Sequence, residues 1–422
     1  MILYHGKIYD NSEQNRIISK LKEDLYHSIQ YKKPINRDEV IEACDSLAKK
    51  VLDGKFDDIV KPFLKTFSIS YERFLTMAMM FSREGLSYKC KIELSDEEKI
   101  IADRFVRKIY PLGILLHIAA GNVDGLPAYS VVEGLLSGNI NILKLPSGDT
   151  GLSIRLLSEL IKINPALADY IYVFDIPSVE FETIKSLAKL SDAIVVWGGD
   201  EAVCAIKSMA DITTKVISWG HKLSFAYAVT EATDEDLKGL AKHICETNQV
   251  LCSSCQGIFL DTSSKEEQII FAKRFFEILK QVNKELGLAD YGMRAQNAIR
   301  LYTEKLENHL TANTIFMEDG VSVVCSDDNI LSLSYMFRNV WVKRLAHEDI
   351  IPVLKPYKNH LQTVGILCPD LNKRKSLIEK FALAGLVRIT EASEMSRFIP
   401  GEAHDGLYPL REYSRIVEIP IY

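Results

Sequence analysis

Between Pro111 and Ser218, short apolar runs alternate with helical stretches. The runs are rich in isoleucine and valine, and they are Gly113–Ala119, Asn139–Leu145, Tyr170–Phe174, Ala193–Trp197 and Lys215–Ser218. This alternation is typical of parallel β-strands that are joined by helices and buried on both faces. Five strands in roughly 110 residues predict a nucleotide-binding domain, although the usual G-x-G-x-x-G fingerprint is absent.

A second α/β pattern follows. Its predicted strands are Phe225–Val229, Gly257–Leu260, Val321–Val324 and Thr363–Leu367, and its longest helix is predicted over Glu266–Leu286. The tail carries a turn signal at Asp405-Gly406, followed by a strand-like run. The sequence therefore predicts two α/β domains.

The N-terminal part has a helical pattern. Apolar residues recur at spacings of three and four from Ile17 to about Lys91, which predicts several amphipathic helices. Within the segment Ile92–Arg107, Ser95 with Glu98 three residues later is a capping-box signature, which predicts that another helix begins there. The expected organisation is an N-terminal helical segment packed on the nucleotide domain, a nucleotide-binding domain, a catalytic domain and a C-terminal tail, at 1–108, 109–222, 223–398 and 399–422.

Composition excludes several classes of protein. The 422 residues carry a net charge of −6 and no long basic run, so a nucleic-acid partner is not expected. No window approaches the roughly 20 apolar residues of a membrane-spanning helix. The start, Met1 to Lys33, lacks the apolar core of a secretory signal. We therefore expect a cytoplasmic protein with no membrane span.

The stretch from Glu246 to Leu260 offers reactive chemistry. Cys252 and Cys255 form a C-x-x-C pair after Asn248-Gln249, and an apolar run follows at once. A structural zinc site needs a second such pair or closely spaced histidines, and none follows, so no metal is expected. A thioredoxin-like pair would open a helix, whereas this one precedes a strand. A thiol at an exposed turn can act as a nucleophile.

Four blocks in order resemble the acyl-CoA reductase family. That family includes the fatty-acid reductase of bacterial bioluminescence and belongs to the aldehyde dehydrogenase superfamily. The blocks are Pro111–Ser147, Val195–Ala202, Gly220–Tyr227 and the N-Q-V-L-C-S-S-C-Q run, and the His404-Asp405-Gly406 tail also fits. The resemblance covers about Ile109 to the C-terminus. It implies an aldehyde-dehydrogenase-like α/β fold, with the active site in a cleft between the two domains.

The resemblance also implies catalytic roles. Cys252 matches the nucleophile of the superfamily, and Asn122 matches the asparagine whose amide helps to form an oxyanion hole. His221 is a candidate proton donor to the nascent alkoxide, because histidine titrates near neutrality. Each has a structural alternative. Cys252 can be a buried small residue, Asn122 a helix cap and His221 a packed loop histidine.

Four further residues match cofactor positions. Lys144 and Ser147 match positions that meet the adenosine ribose, where NAD-preferring relatives often carry a glutamate in place of Ser147. A serine leaves room for a 2′-phosphate, so NADPH is the expected cofactor. Gly198 and Gly199 fall at a strand–helix turn where the backbone can approach the dinucleotide. Alternatively, Lys144 is a solvated strand-end lysine and the two glycines are only a turn.

One departure from the hydrolytic aldehyde dehydrogenases carries the expected mechanism. Those enzymes activate the deacylating water with a glutamate, and Ser218 stands in its place here. An acyl group on Cys252 should then resist hydrolysis and receive hydride from NADPH. The expected activity is the reduction of an acyl thioester, such as a fatty acyl-CoA, to an aldehyde, with CoA as the leaving group.

Alternatives remain at the level of the sequence. The chain could be a non-acylating aldehyde dehydrogenase, which the missing glutamate disfavours, or an acyl carrier or transferase subunit that uses the same cysteine. The sequence does not fix the acyl chain length, nor whether CoA, a carrier protein or a partner enzyme delivers the acyl group. It also leaves open whether the chain forms a homo-oligomer.

Overall fold

The computed structural model describes residues 1–67, 71–95, 98–119, 125–147, 149–287, 291–307 and 314–421. Two compact units divide the chain. Unit 1 contains Met1–Leu64, Tyr71–Gly220 and Phe398–Tyr422, and unit 2 contains His221–Arg397 together with the end of the third helix from Lys65. The C-terminal segment therefore belongs to the same unit as the N-terminus.

Unit 1 contains the first nine strands of the chain. They are β1 (Ile2–Tyr4), β2 (Lys7–Tyr9), β3 (Glu98–Ile101), β4 (Phe105–Pro111), β5 (Ile114–Ile118), β6 (Ile140–Lys144), β7 (Ile171–Phe174), β8 (Ala193–Trp197) and β9 (Lys215–Trp219). Seven of them form one sheet in the order β2-β1-β7-β6-β5-β8-β9. Strands β5 to β9 are parallel, and β1 pairs antiparallel with β7.

The helices of unit 1 lie between these strands in the sequence. They are α1 (Gln14–Tyr31), α2 (Arg37–Leu52), α3 (Asp57–Phe67), α4 (Tyr71–Ala78), α5 (Arg83–Glu93), α6 (Leu126–Leu136), α7 (Leu152–Ile163), α8 (Phe181–Ala188) and α9 (Asp200–Met209). The five predicted strands are confirmed as β5 to β9, and the predicted N-terminal helices as α1 to α5. All five residues of β6 and of β8 are buried, as expected of central parallel strands.

The order of the parallel strands creates a switch point. From β5 the chain moves to β6 and β7 on one side, and it then returns to β8 on the other side of β5. The chain therefore passes from β5 to β6 in one direction along the sheet and from β8 to β9 in the other. Ligands of open α/β sheets bind in the crevice at such a point.

Unit 2 contains a second seven-stranded sheet. Its strands are β10 (Leu223–Ala228), β11 (Cys255–Leu260), β12 (Thr314–Glu318), β13 (Val321–Cys325), β14 (Asn339–Arg344), β15 (Leu361–Leu367) and β16 (Arg388–Glu391). Their order is β12-β13-β14-β11-β10-β15-β16, and only the edge strand β12 runs antiparallel to its neighbour. The helices are α10 (Asp234–Thr247), α11 (Lys265–Glu285), α12 (Tyr291–Glu307), α13 (Ile350–Leu354) and α14 (Leu371–Ala384). The second α/β domain is thus confirmed.

A third sheet corrects one prediction. After the short helix α15 (Pro409–Glu412), strand β17 (Ser414–Pro420) pairs antiparallel with β4, which pairs with β3. The helix predicted over Ile92–Arg107 is therefore wrong. Ala102 and Asp103 adopt left-handed conformations and close a tight turn between β3 and β4. The hydroxyl of Ser95, the predicted helix cap, accepts a hydrogen bond from the Arg411 side chain.

Candidate functional site

Cys252 lies at an exposed turn in unit 2. Helix α10 ends at Thr247, and both Asn248 and Gln249 have positive φ angles, which turn the chain away from the helix axis. The next turn is closed by a hydrogen bond from Ser254 N–H to the Leu251 carbonyl at 3.0 Å. The Cys252 side chain is exposed, and β11 begins three residues later. The thiol is accessible, as the sequence predicted.

The residues before this turn are held by main-chain contacts. The Gln249 side-chain amide donates to the carbonyls of Cys255 and Asn339, at 3.0 and 3.1 Å. Its side-chain oxygen accepts from the N–H groups of Arg338 and Asn339, at 2.9 and 3.2 Å. Gln249 is 1 % exposed, so one buried amide satisfies four main-chain groups. The entry to the Cys252 turn is therefore rigidly fixed.

Arg338 holds the same segment before the Cys252 turn through its guanidinium group. Its guanidinium donates to the Asn248 side-chain oxygen at 3.2 Å and to the Cys245 carbonyl at 3.3 Å, and it also bonds Asn283. Burial lowers the pKa of Arg338. Arg338 follows Met336 and Phe337, and all three have positive φ angles. Such backbone strain is costly and often lies at functional sites. Nothing in the sequence pattern indicated this support.

Ser224 anchors Cys252 itself. The Ser224 hydroxyl donates to the Cys252 carbonyl at 2.7 Å and accepts from the Thr363 N–H at 3.1 Å. Ser224 and Thr363 belong to β10 and β15, two central strands of the unit 2 sheet. The main chain at Cys252 is thus tied to the core of the unit.

The second thiol of the pair has a different environment. Cys255 is fully buried as the first residue of β11, and burial raises its pKa to about 12. Its thiol donates to the Gly257 carbonyl, and its N–H donates to His243 Nε2 at 3.3 Å. A thiol with this pKa stays protonated at neutral pH and is a poor nucleophile. Of the two cysteines, Cys252 alone is exposed.

Two predicted cofactor residues, Lys144 and Ser147, lie beside Ser178 at the carboxyl end of β6. Lys144 is 3 % exposed, and its Nζ donates to the Ser178 hydroxyl at 3.0 Å. The Ser147 hydroxyl lies 3.4 Å from the same oxygen of Ser178. Burial lowers the pKa of Lys144, and the Asp175 carboxylate partly opposes that shift. Lys144 is therefore not a solvated strand-end lysine, and Ser178 is a member of this cluster that the sequence did not indicate.

The predicted glycine turn follows β8, at the switch point. The Gly198 N–H donates to the Trp219 carbonyl at 3.2 Å, and Gly199 is the N-cap residue of α9. A Cβ built on Gly199 would have no other atom within 4 Å. Beyond its chain neighbours, the Gly199 main chain therefore has free space beside it at the position where a Cβ would lie.

The remaining predicted residues are placed as follows. Ser218 is a half-buried residue of β9, beside Val196 of β8. His221 is an exposed residue of unit 2, and its carbonyl accepts a hydrogen bond from the His360 ring at 3.1 Å. Asn122 lies outside the described residues, so its predicted role remains a prediction.

An aromatic cluster at the ends of β8 and β9 was not predicted. Trp197 and Trp219 are the last residues of these strands, and their ring centroids lie 5.6 Å apart. The His404 ring lies 5.0 Å from Trp197 and 4.9 Å from Trp219. The Asp405-Gly406 turn, which the sequence did predict, presents this histidine. His404 lies far from Trp197 and Trp219 in the sequence, so the sequence alone does not show that the three rings are in contact.

Comparison with known proteins identifies the family. The sequence model of the acyl-CoA reductase (LuxC) family matches residues 33–416. The chain belongs to this family. It is 27% identical over 338 residues to a long-chain acyl-protein thioester reductase of Aliivibrio fischeri, covering 77% of this chain and 67% of that protein. The same-named protein of Vibrio harveyi is 24% identical over 317 residues, covering 74% and 65%. The matches span about two thirds of these relatives.

Solved structures establish the fold class. An NAD-dependent aldehyde dehydrogenase of Sinorhizobium meliloti superposes with a TM-score of 0.72 at 12% identity, covering 96% of this chain and 87% of that one. A betaine aldehyde dehydrogenase of Staphylococcus aureus gives 0.71 at 15% identity, covering 97% and 88%. At these identities the similarity concerns the fold alone. The predicted family and the aldehyde-dehydrogenase-like fold are both confirmed.

Two kinds of feature are absent from the described residues. No described helix is long and apolar enough to span a bilayer. Within the same residues, no three histidine, cysteine, aspartate or glutamate side chains group as metal ligands would.

Proposed function

We propose that this protein reduces an acyl thioester to an aldehyde through an acyl group on Cys252, with NADPH as the reductant. The observation that carries the proposal is the exposed Cys252 thiol on a turn that Gln249 and Ser224 hold in place. A nucleophile on a fixed main chain loses little freedom when it attacks. Membership of the acyl-CoA reductase family supports the reaction class.

In the acylation step, the Cys252 thiolate attacks the thioester carbonyl carbon. A new carbon–sulfur bond forms, the bond to the donor thiol breaks, and that thiol leaves with a proton from solvent. Negative charge develops on the carbonyl oxygen. We assign its stabilisation to the Cys252 N–H and the Asn122 amide, and each such donor typically contributes a few kcal/mol.

The acyl group on Cys252 then persists until it is reduced. Ser218 offers no carboxylate to activate water, and hydrolysis is expected to be slow. NADPH, when bound, would supply a hydride to the thioester carbon. The bond from that carbon to the Cys252 sulfur then breaks, the aldehyde leaves, and the Cys252 thiolate is available to attack the next thioester.

The residues at the carboxyl edge of the unit 1 sheet suit this cofactor. Lys144, Ser147 and Ser178 offer an amine and two hydroxyls for a ribose and its 2′-phosphate. Gly199 leaves open space at the switch point. The first turn of α9 carries Asp200 and Glu201, whose charges would repel a phosphate, so Gly198 and Gly199 are assigned to close backbone approach rather than to phosphate binding.

The donor of the acyl group is the second part of the proposal. The relatives from Aliivibrio fischeri and Vibrio harveyi are named for acyl-protein thioesters. We therefore propose that an acyl group held on a protein thiol serves as well as acyl-CoA. Both donors offer the same thioester bond to Cys252.

The test is stepwise discharge. The protein is incubated with acyl-CoA, or with an acylated carrier protein, without NADPH, and intact mass spectrometry should find one acyl group, on Cys252. After removal of excess donor, NADPH should release it as aldehyde. A protein that gains no acyl mass from either donor, or releases free acid on addition of NADPH, would refute the proposed function.

Cofactor choice gives a separate prediction. In Ser147→Glu a carboxylate would approach the 2′-phosphate, so NADPH affinity should fall on the order of tenfold more than NADH affinity. Fluorescence titration with both cofactors measures the ratio. Ser147→Gln, which has a similar size and no charge, is the matched control. Equal losses for both cofactors in Ser147→Glu would show that Ser147 does not face the 2′ position.

A further inference from the structure

Three charged side chains of unit 1 are buried together, and the proposed mechanism uses none of them. The Lys89 ammonium of α5 lies 2.6 Å from a carboxylate oxygen of Glu93, on the same helix, and 2.9 Å from one of Glu133, on α6. Lys89 is 6 % exposed, Glu93 0 % and Glu133 2 %. Charged groups are rarely buried unless their charges are compensated. We call these three residues the buried triad.

The charges of the buried triad do not cancel. One ammonium and two ionised carboxylates would leave a net charge of −1 in the interior. Glu93 is the better stabilised of the two acids, because its Oε2 accepts the Leu410 N–H at 2.8 Å and the Arg411 charge favours its ionised form. Glu133 Oε2 is buried and has no hydrogen-bond partner among the described residues. An ionised oxygen there would lose its hydration without replacement.

The protonation of Glu133 depends on few neighbours. Burial raises the pKa of its carboxyl, the Lys89 ammonium opposes that shift, and the charge of Glu93 adds to it. Three other titratable groups around α6 are neutral because they are buried, and they are Tyr129, Tyr413 and His117. Burial raises the pKa of both tyrosines and lowers that of the histidine to about 4. Charged groups of α2 and α7, which also pack on α6, have other partners: Lys50 pairs with Glu159, Arg155 pairs with Asp58, and Arg37 donates to the Leu136 carbonyl.

The buried triad is tied to the C-terminal segment. Glu93 holds that segment at two points, since its Oε2 accepts the Leu410 N–H and its main-chain carbonyl accepts from the Arg411 guanidinium. Both partners belong to α15, which packs on α5 and α6 and leads directly into β17. Helix α15 has four residues, and short segments near a chain end are the first to open in a folded protein.

We propose that Glu133 is held as the neutral acid and that the buried triad is a pH-sensitive latch for α15 and β17. As the pH rises, Glu133 releases its proton to solvent, and the triad acquires an uncompensated negative charge. Water reaches that charge when α15 moves away from α5 and α6, and β17 then separates from β4. The latch does not depend on the reaction that Cys252 performs.

Glu133→Gln tests the protonation state. A carboxyl with a raised pKa in the folded protein stabilises the fold below its ordinary pKa of 4.5, and this stabilisation is lost as the pH rises through the raised value. Glutamine resembles the neutral acid and has no proton to lose. The melting temperature of the variant, relative to the wild type, should therefore rise by roughly 3 °C or more between about pH 5 and about pH 9.

Glu159→Gln is the matched control on α7. Glu159 pairs with Lys50 at 2.6 Å and with Lys162 at 3.2 Å, and the hydrogen bond from Lys50 lowers its pKa. A carboxyl with a lowered pKa stays ionised throughout this pH range, so the difference from the wild type should change by no more than about 1 °C. A Glu133→Gln difference that is equally independent of pH would overturn the proposed protonation state.

Hydrogen exchange measured by mass spectrometry tests the latch itself. The readout is the protection factor, which corrects for the effect of pH on the intrinsic exchange rate. In the wild type, protection of peptides from α15 and β17 should fall about tenfold between about pH 6 and about pH 9, while peptides from β6 stay within about twofold. In Glu133→Gln the tail should keep its protection. Constant tail protection in the wild type, which needs no variant to establish, or an equal fall in Glu133→Gln would refute the latch.

Discussion

Replacement of Cys252 by alanine should abolish both acyl labelling and aldehyde formation. The substitution removes the atom that forms the covalent bond, and loss of a nucleophile typically lowers kcat on the order of 10⁴-fold or more. NADPH affinity should stay within about twofold, because the proposed cofactor residues belong to unit 1 whereas Cys252 belongs to unit 2. Intact mass spectrometry and NADPH consumption measure the two effects separately.

Cys255→Ala is the matched control for this experiment. Cys255 is buried, and its thiol makes one hydrogen bond to Gly257, so the variant should lose about 1 kcal/mol of stability and keep most of its activity. If the Cys255 variant were inactive and the Cys252 variant active, Cys255 would be the nucleophile and the role proposed for Cys252 would be wrong. A Cys252→Ala protein that still takes up one acyl group would exclude the acyl-cysteine mechanism.

The second large effect concerns the fate of the acyl group. In the wild type, acyl-Cys252 should yield aldehyde when NADPH is added, with little free acid. Ser218→Glu introduces a carboxylate at the position that the sequence resemblance matches to the general base of hydrolytic aldehyde dehydrogenases, and such a base typically accelerates hydrolysis by roughly 10²–10⁴-fold. Free acid should therefore become a major product. Chromatography of the products from preacylated protein gives the ratio of acid to aldehyde.

Ser218→Gln separates charge from size in this test. Glutamine has nearly the shape of glutamate but cannot accept a proton at neutral pH, so its acid fraction should match that of the wild type. Equal acid release from the glutamate and glutamine variants would mean that a disturbed strand admits water. Mainly free acid from the wild type would mean that another residue supplies the base, and the role given to Ser218 would be wrong.

The parallel sheets were predictable because their signal is local. β8 (Ala193–Trp197) was predicted to the residue, and each end of the other parallel strands of unit 1 was predicted to within one residue. Buried parallel strands are continuous apolar runs, and the helices between them punctuate those runs clearly. The Cys252 turn was visible for a similar reason, since a polar pair precedes it and an apolar strand follows.

Elements that depend on distant partners were predicted poorly. Residues Ile92–Arg107 have a helical capping signature, but β4 pairs with β17 along seven residues and the pairing overrides local preference. Strand β14 was missed because its six residues mix Asn339, Lys343 and Arg344 with three apolar ones. Charged residues there are buried or paired by the surrounding unit, which no local pattern reveals.

The supporting residues of the site were missed for the same physical reason. Arg338 and Ser224 act through contacts to main-chain groups that lie far away in sequence, such as the Cys245 carbonyl. His404 meets Trp197 and Trp219 only because the tail returns to unit 1. Side-chain type alone does not distinguish such residues from ordinary polar ones.

The return of the C-terminal strand has a consequence for synthesis on the ribosome. β17 (Ser414–Pro420) pairs with β4, about 300 positions earlier, and it emerges from the ribosome after all of unit 2 has been made. Unit 2 can complete its sheet during translation, whereas unit 1 must wait with β4 unpaired on one side. An unpaired strand edge invites association with other chains. Deletion of Ser414–Tyr422, which removes β17, should therefore yield a protein that aggregates as it is made.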